Sequence, residues 1–291
     1  LHIPRYTLHF SHFTLLIMEN CTIAFIGCGN MSRSLIGGLI ANGVKPEQLL
    51  ATDLDSSQRD AIAEQFNIAT LENNNAAIAK ADVILLAVKP QVMHSVVSEI
   101  AASIKGTSKL IISIAAGVKL DSIIEWLGSS TAVVRVMPNT PALIQAGAAA
   151  LYANEHTSET QKNTAEAMMR SVGTAIWLDT EDQMDAVTAL SGSGPAYFFY
   201  FMEAMEKAAI EMGLSEEHAR LLTIETAVGA SKMALLSSSD PAALRKQVTS
   251  PGGTTEQAIN TFTQGKMDKL IQKAMEAAKQ RSIELSQSFG K

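Results

Sequence analysis

Between residues 22 and 178 the chain alternates short continuous apolar runs with longer segments whose apolar positions recur every three or four residues. The runs are TIAFIG (22–27), LLATD (49–53), VILLAV (83–88), LIISIA (110–115) and AVVRVM (132–137). Unbroken apolarity over so few residues predicts strands covered on both faces, as in a parallel sheet. The intervening segments, such as SRSLIGGLIANG (32–43) with Gly43 placed to end it, read as amphipathic helices. GAAALYA (147–153) and AIWL (175–178) are expected to extend the sheet. The alternation predicts an α/β, doubly wound domain of Rossmann type over residues 18–180.

Beyond residue 180 only helical patterns remain, at 181–190, 194–212, 215–236, 240–248, 254–263 and 266–287. The segment PAYFFYFMEAMEKAAIEMG (195–213) is apolar around most of its girth, with little charge in its first half. A helical half of this size cannot bury so much apolar surface alone, so 181–291 is expected to form an all-α domain that shares a dimer interface with a second copy. A compact monomeric bundle is the alternative.

Composition narrows the class. Hydrophobic residues make up 47% and charged residues 18%, a globular balance. The net charge of −6 disfavours nucleic acid and anionic membrane as partners, while leaving room for a local basic pocket. Cys21 and Cys28 make no disulfide framework and fit a reduced, cytoplasmic interior. Residues 1–17 stand apart, holding three of the six histidines and no acid. Histidines and Arg5 interrupt what a secretory signal would need as an apolar core, so this leader is expected to lie outside the domain, with Met18 as the natural first residue. No metal constellation stands out, because His94, His156 and His218 are isolated.

Five motifs carry candidate chemistry. GCGNMS (27–32) follows a strand and opens a helix: Gly27 suits the tight turn, and Gly29 lets the backbone approach a pyrophosphate. Ser32 stands where the usual fingerprint has Gly or Ala. Asp53, at the end of the second strand, suits a ribose 2′-hydroxyl and would repel a 2′-phosphate. Thr52, Ser56, Ser57 and Arg59 could build a phosphate pocket there, or Asp53 or Asp55 simply caps the next helix. AVKPQ (87–91) ends the third run, so that Lys89 is a candidate for the phosphates or nicotinamide ribose and Pro90 for the first helical position. RVMPNTPAL (135–143) holds an extended loop in which Asn139 either orders the nicotinamide side or serves a rigid turn. LSGSGPAYFF (190–199) allows close packing or ligand approach but lacks the spacing of a serine-hydrolase elbow. Finally, SPGGTT (250–255) interrupts two helical patterns. Thr254 with Gln257 resembles a capping box, which would leave N–H groups at Gly253, Thr254 and Thr255 free for a carboxylate, or only for water.

The ordered set GCGNM, AVKPQ, SIAAGV, RVMPNTPAL, ALSGSGPAYFF and VTSPGGTT resembles the pyrroline-5-carboxylate reductases, from about Met18 to the C-terminus. That resemblance implies reduction of L-1-pyrroline-5-carboxylate to L-proline, a helical domain that interlocks with a second subunit in a homodimer or higher homo-oligomer, and NADPH, sometimes NADH, as hydride donor. It implies cofactor contacts at Ile26, Gly27, Cys28, Gly29, Asn30 and Met31, at Asp53 and Asn74, along Ala87, Val88, Lys89 and Pro90, and at Ile114, Ala115 and Ala116. For the substrate it implies Glu181, Thr254 and Thr255, with Ser250, Gly252 and Gly253 shaping the pocket and Gln247 nearby. Thr255 is the residue expected to hydrogen-bond the ring nitrogen or stabilise the product amine. Two other readings compete. A β-hydroxyacid dehydrogenase would need a catalytic Lys on the first long helix of the second domain, where 194–212 offers only Lys207. A non-catalytic dinucleotide-sensing dimer would bind cofactor without oxidising it.

Overall fold

The computed structural model describes residues 21–128 and 130–290, so the leader expected at 1–17 lies outside the described residues. Two compact units make up the chain. One is Gly194–Ala277; the other comprises the described residues up to 193 together with 278–290.

Among the described residues the larger unit is built on an eight-stranded sheet. Its elements run β1 (Ile23–Ile26), α1 (Asn30–Ala41), β2 (Leu49–Thr52), α2 (Ser56–Phe66), β3 (Ala69–Leu71), α3 (Asn74–Ile78), β4 (Val83–Leu86), α4 (Pro90–Ile104), β5 (Leu110–Ser113) and α5 (Leu120–Leu127). They continue with β6 (Ala132–Met137), β7 (Gly147–Ala153), α6 (Glu159–Arg170), β8 (Gly173–Trp177) and the short α7 (Gln183–Val187), which runs into a π-helical turn at Thr188–Gly192. The strand order is β3-β2-β1-β4-β5-β6-β7-β8, and β6 with β7 is the antiparallel pair. Strand β3 was not expected from the sequence. Its three residues, ATL, are partly exposed at the sheet edge and carry no apolar run to betray them.

The apolar runs are strands because both faces are covered. On one face Ile23, Phe25, Leu85 and Ile112 pack with Leu35, Ile36 and Leu39 of α1 and with Met168 and Met169 of α6. On the other, Ile84, Leu86, Ile111 and Val133 pack with Met93, Val97 and Ile100 of α4 and Ile123 of α5. Side chains that alternate between two covered faces must all be apolar, hence the unbroken runs.

The smaller unit is helical: α8 (Gly194–Glu211), α9 (Glu216–Leu236), α10 (Pro241–Gln247), α11 (Thr254–Gln264) and the first part of α12 (Met267–Phe289). Ser215 caps α9 and Asp240 caps α10, with Pro241 in the first turn of α10. Residues 278–290 belong with the sheet, where the hydroxyl of Ser282 donates to Asp185 Oδ1 at 2.6 Å, both side chains buried. Phe198, Phe199 and Tyr200 on α8 are 63, 65 and 74% exposed, and Leu221, Leu222, Met233, Leu235 and Leu236 on α9 are exposed as well. So much exposed aromatic and aliphatic surface on neighbouring helices is the mark of an interaction face. Among the described residues no helix is long and apolar enough to cross a membrane.

Candidate active site

Register places the carboxyl ends of the central strands in one row. Thr52, Ile26, Leu86, Ser113 and Arg135 are successive partners across β2, β1, β4, β5 and β6. The ladder continues one residue further, through Gly27 N–H to Thr52 O at 2.7 Å, Ala87 N–H to Ile26 O at 2.9 Å and Ile114 N–H to Leu86 O at 3.2 Å. The turn at 26–31, Asp53, the run 87–90 and residues 114–116 therefore leave the sheet along one edge, beside the point where strand order reverses between β1 and β4. That is where open α/β sheets form their ligand crevice. Asn74 joins them: the Thr52 hydroxyl donates to its Oδ1 at 2.7 Å, and its amide donates to Glu99 Oε2 at 3.4 Å.

The two glycines of the first turn do different work. Gly27 has φ +107°, and a Cβ there would lie 2.8 Å from the Ala87 carbonyl oxygen. Gly29 is the N-cap of α1 with ordinary extended backbone, and a Cβ there would meet nothing within 4 Å. Open space thus faces the first N–H groups of a helix with no acidic residue in its first turn. Ser32, the departure from the glycine fingerprint, is buried, and its hydroxyl donates to Gly27 O at 2.6 Å. The serine ties the turn down where a smaller residue would only fit.

Asp53 is drawn into the same turn. Its Oδ2 accepts from Cys28 N–H at 2.8 Å and its Oδ1 from Asp55 N–H at 3.0 Å. Asp55, not Asp53, caps α2 by accepting from Ser57 N–H, and the Ser57 hydroxyl and N–H hold the Asp55 carboxyl below its ordinary range. Arg59 donates to the carbonyls of Asp53 and Leu54, at 2.6 and 3.2 Å, and Arg33 to Gln58 and Gln65, at 3.1 and 3.3 Å. Burial, and after it the Asp53 carboxylate, push the Cys28 thiol up to about 11, against opposing pulls from Arg33 and Arg59. Lys89 is the exposed N-cap of α4, with Pro90 at its first helical position. These residues fit a dinucleotide. The glycine turn leaves room for a pyrophosphate, and two guanidinium groups bracket the loop after β2.

Other motifs prove structural. Asn139 donates from its amide to Ser191 O at 3.1 Å and accepts from Ala148 N–H at 2.8 Å, clamping the loop after β6 to β7 and to the π-turn. In LSGSGP it is Gly192 that serves close packing, since a Cβ there would lie 2.5 Å from Met137 Cε, whereas one on Gly194 would meet nothing within 4 Å. Arg135 and Glu181 form a 2.7 Å ion pair with side chains only 5 and 15% exposed, and Glu181 Oε1 also accepts from Leu120 N–H at 2.9 Å. This link between β6, α5 and the start of the helical segment escaped sequence reading. A lone apolar-strand arginine was the available signal.

Of the expected substrate residues, Glu181 belongs to the sheet unit, whereas Gln247, Ser250, Gly252, Gly253, Thr254 and Thr255 belong to the helical unit. Ser250 O accepts from Gly253 N–H at 3.0 Å, with Pro251 and Gly252 (φ +72°) between them, the signature of a type II turn. The expected capping box does not form. Gly253 is the N-cap of α11, Thr254 is the first helical residue, and no side chain caps the helix. The Gly253 N–H is spent on the turn, so among the described residues the donors left without a partner are the N–H groups of Thr254, Thr255 and Glu256, together with the two threonine hydroxyls. The box fails because the type II turn sets Gly253 extended, and this moves the helix start one residue upstream of a threonine cap.

A doubly wound sheet with a glycine turn at its switch point, followed by a helical module, defines the class of Rossmann-fold dinucleotide-dependent oxidoreductases. Residues 22–117 match the family model described as NADP oxidoreductase coenzyme F420-dependent, and residues 181–285 the one described as pyrroline-5-carboxylate reductase dimerisation. The chain is 51% identical to the pyrroline-5-carboxylate reductase of Pseudomonas aeruginosa, over 94% of this chain and all of that one. Among solved structures, the pyrroline-5-carboxylate reductase of Coxiella burnetii is 45% identical with a TM-score of 0.88, covering 91% of this chain and 98% of that one. The Plasmodium falciparum enzyme with NADP bound is 30% identical with a TM-score of 0.82, covering 92% and 99%. The chain belongs to the pyrroline-5-carboxylate reductase family.

Proposed function

We infer that the chain reduces L-1-pyrroline-5-carboxylate to L-proline with NAD(P)H, the last step of proline biosynthesis. The observation that carries this reading is the unpaired Thr254–Thr255 amide pair of the SPGGTT loop, in a chain of this family. A helix N-terminus with spare N–H groups and hydroxyls suits the substrate carboxylate. When bound, a reduced nicotinamide supplies the hydride that the imine carbon accepts, and the ring nitrogen already carries its proton because the substrate enters as the iminium. The protein's part is orientation. The amides of Thr254 and Thr255 hold the carboxylate, with Ser250, Gly252 and Gly253 shaping the loop and Gln247 close by in sequence. The Thr255 hydroxyl hydrogen-bonds the ring nitrogen or the product amine. Glu181, held by Arg135, is a further residue given to substrate in this reading.

On the cofactor side, Ile26 to Met31 would seat the pyrophosphate, with Asn74, Ala87 to Pro90 and Ile114 to Ala116 lining the remainder. NADPH is the preferred donor in this reading and NADH the lesser one. Both Asp53 oxygens already accept backbone N–H groups, while Arg33 and Arg59, held by Gln58, Gln65 and the Asp53 and Leu54 carbonyls, place positive charge beside the loop for a 2′-phosphate. Functionally, residues 18–180 are taken as the dinucleotide domain and 181–291 as the substrate and dimerisation domain. The apolar faces of α8 and α9 would meet a second copy in a cytoplasmic homodimer or a higher homo-oligomer.

The test is the fall in nicotinamide absorbance with pyrroline-5-carboxylate, run with each cofactor on wild type and Thr255→Ala. The variant should lose at least tenfold in kcat/KM with cofactor affinity unchanged. An unaltered kcat/KM would remove Thr255 from the site, and no oxidation by wild type would remove the activity.

A further inference from the structure

Glu256 directly follows the last of the expected substrate residues, Thr255, and has no part among them. Its carboxylate Oε2 accepts from the N–H of Gly252 at 2.9 Å. Gly252 is the φ +72° corner of the type II turn, and its N–H points away from the turn's own hydrogen bond. Two consecutive glycines give this loop more conformational freedom than any other residue pair would. The loop is anchored at its tip by that contact with a residue of the first turn of α11. The same glutamate lines a cleft of about 550 Å³ with Arg245 and Lys246, so two cations share the space with its negative charge.

We propose that Glu256 is a positioning residue for substrate: by clamping Gly252 it holds the SPGGTT loop in the one shape that leaves the Thr254 and Thr255 amides open to a carboxylate. The proposal rests on the carboxylate-binding role given to this loop above. Without the clamp the amides remain but the loop samples other shapes, and ordering it must be done at the expense of binding. Substrate affinity suffers, and the chemical step, once substrate is seated, does not.

The contact depends on an acceptor of the right reach, which sets the test. Three variants are compared with wild type by steady-state kinetics with NADPH and pyrroline-5-carboxylate, alongside NADPH titration by fluorescence and circular dichroism. Glu256→Ala should raise KM for the imine about tenfold, with kcat within twofold and NADPH affinity unchanged. Glu256→Gln, which retains an acceptor oxygen at the same reach, should recover most of that loss. Glu256→Asp, which keeps the charge but shortens the arm, should behave like the alanine variant. A folded Glu256→Ala with KM within twofold of wild type overturns the proposal, as does a glutamine variant no better than alanine. If the alanine variant does not fold, the glutamine and aspartate pair decides between the same outcomes. Failure of the underlying reading looks different: wild type itself would not oxidise NADPH when given the imine.

Discussion

The two glycines of the GCG turn allow fold and binding to be separated by a single methyl group each. At Gly27 an alanine must adopt φ +107°, which costs about 1–3 kcal/mol for a non-glycine residue. Its Cβ would also sit 2.8 Å from the Ala87 oxygen and 3.0 Å from the Ala87 carbonyl carbon, backbone atoms fixed by the β1–β4 ladder. Overpacking of that kind adds about 1–3 kcal/mol. Gly27→Ala should therefore destabilise the sheet unit by about 2–6 kcal/mol and lower its Tm by roughly 5–20 °C. At Gly29 neither term exists. Alanine there costs only its poorer N-cap propensity, about 0.5–1 kcal/mol, so Tm should drop by no more than about 4 °C. The added methyl projects instead into the open space before the first amides of α1. Losing one charge-assisted hydrogen bond from N–H to pyrophosphate is worth about 1.5–3 kcal/mol, so the Kd for NADPH should rise roughly 10- to 100-fold. Thermal melting followed by circular dichroism, with NADPH titrated by fluorescence, reads both quantities on both variants. A Gly29→Ala protein that binds NADPH like wild type refutes the placement of the pyrophosphate. A Gly27→Ala protein that melts with wild type refutes the tight approach to Ala87.

Other substitutions probe the rest of the crevice. Asp53→Ser removes a negative charge from the loop that Arg33 of α1 and Arg59 of α2 bracket, and it should shift the ratio of NADPH to NADH efficiency about tenfold toward NADPH; an unchanged ratio would leave Asp53 as a backbone clamp alone. Arg135→Met leaves the Glu181 carboxylate buried without its cation and should cost about 3–5 kcal/mol in denaturant unfolding, whereas replacing both partners by apolar residues should recover most of it. Cys28, fully buried and with its thiol pushed up to about 11, stays protonated at pH 8, so a thiol reagent should label it only after denaturation. Rapid labelling of the folded protein would mean that the glycine turn opens.

Much of the architecture is written locally. The apolar runs at 23–26, 83–86 and 110–113 could be read as doubly covered strands because burial on both faces leaves them apolar but for Ser113, the last residue of the third. The helices of the second half could be read to within two residues, since Ser215, Asp240 and Pro241 act on their own neighbours. Edge strand β3 was not legible, because partial exposure relaxes the apolar requirement that marked the others.

At the candidate site the division is sharper. Motif order alone identified the glycine turn, the AVKP run and the SPGGTT loop, since each needs particular residue types within a few positions. Sequence could not say whether Asp53 reads a ribose, fills a cap or braces a turn, because its partners Cys28 and Asp55 are chosen by the β1–β2 register. Likewise the Arg135–Glu181 pair joins residues 46 apart. Even in SPGGTT, where every residue is local, the threonine capping box suggested by composition gave way to a type II turn with Gly253 as cap and Glu256 as brace. Sequence by itself determined most of the elements and which loops are candidates for binding. Only the tertiary structure decided which hydrogen-bonding groups those loops have left to offer, because a donor is free for a ligand only when no other part of the fold has taken it.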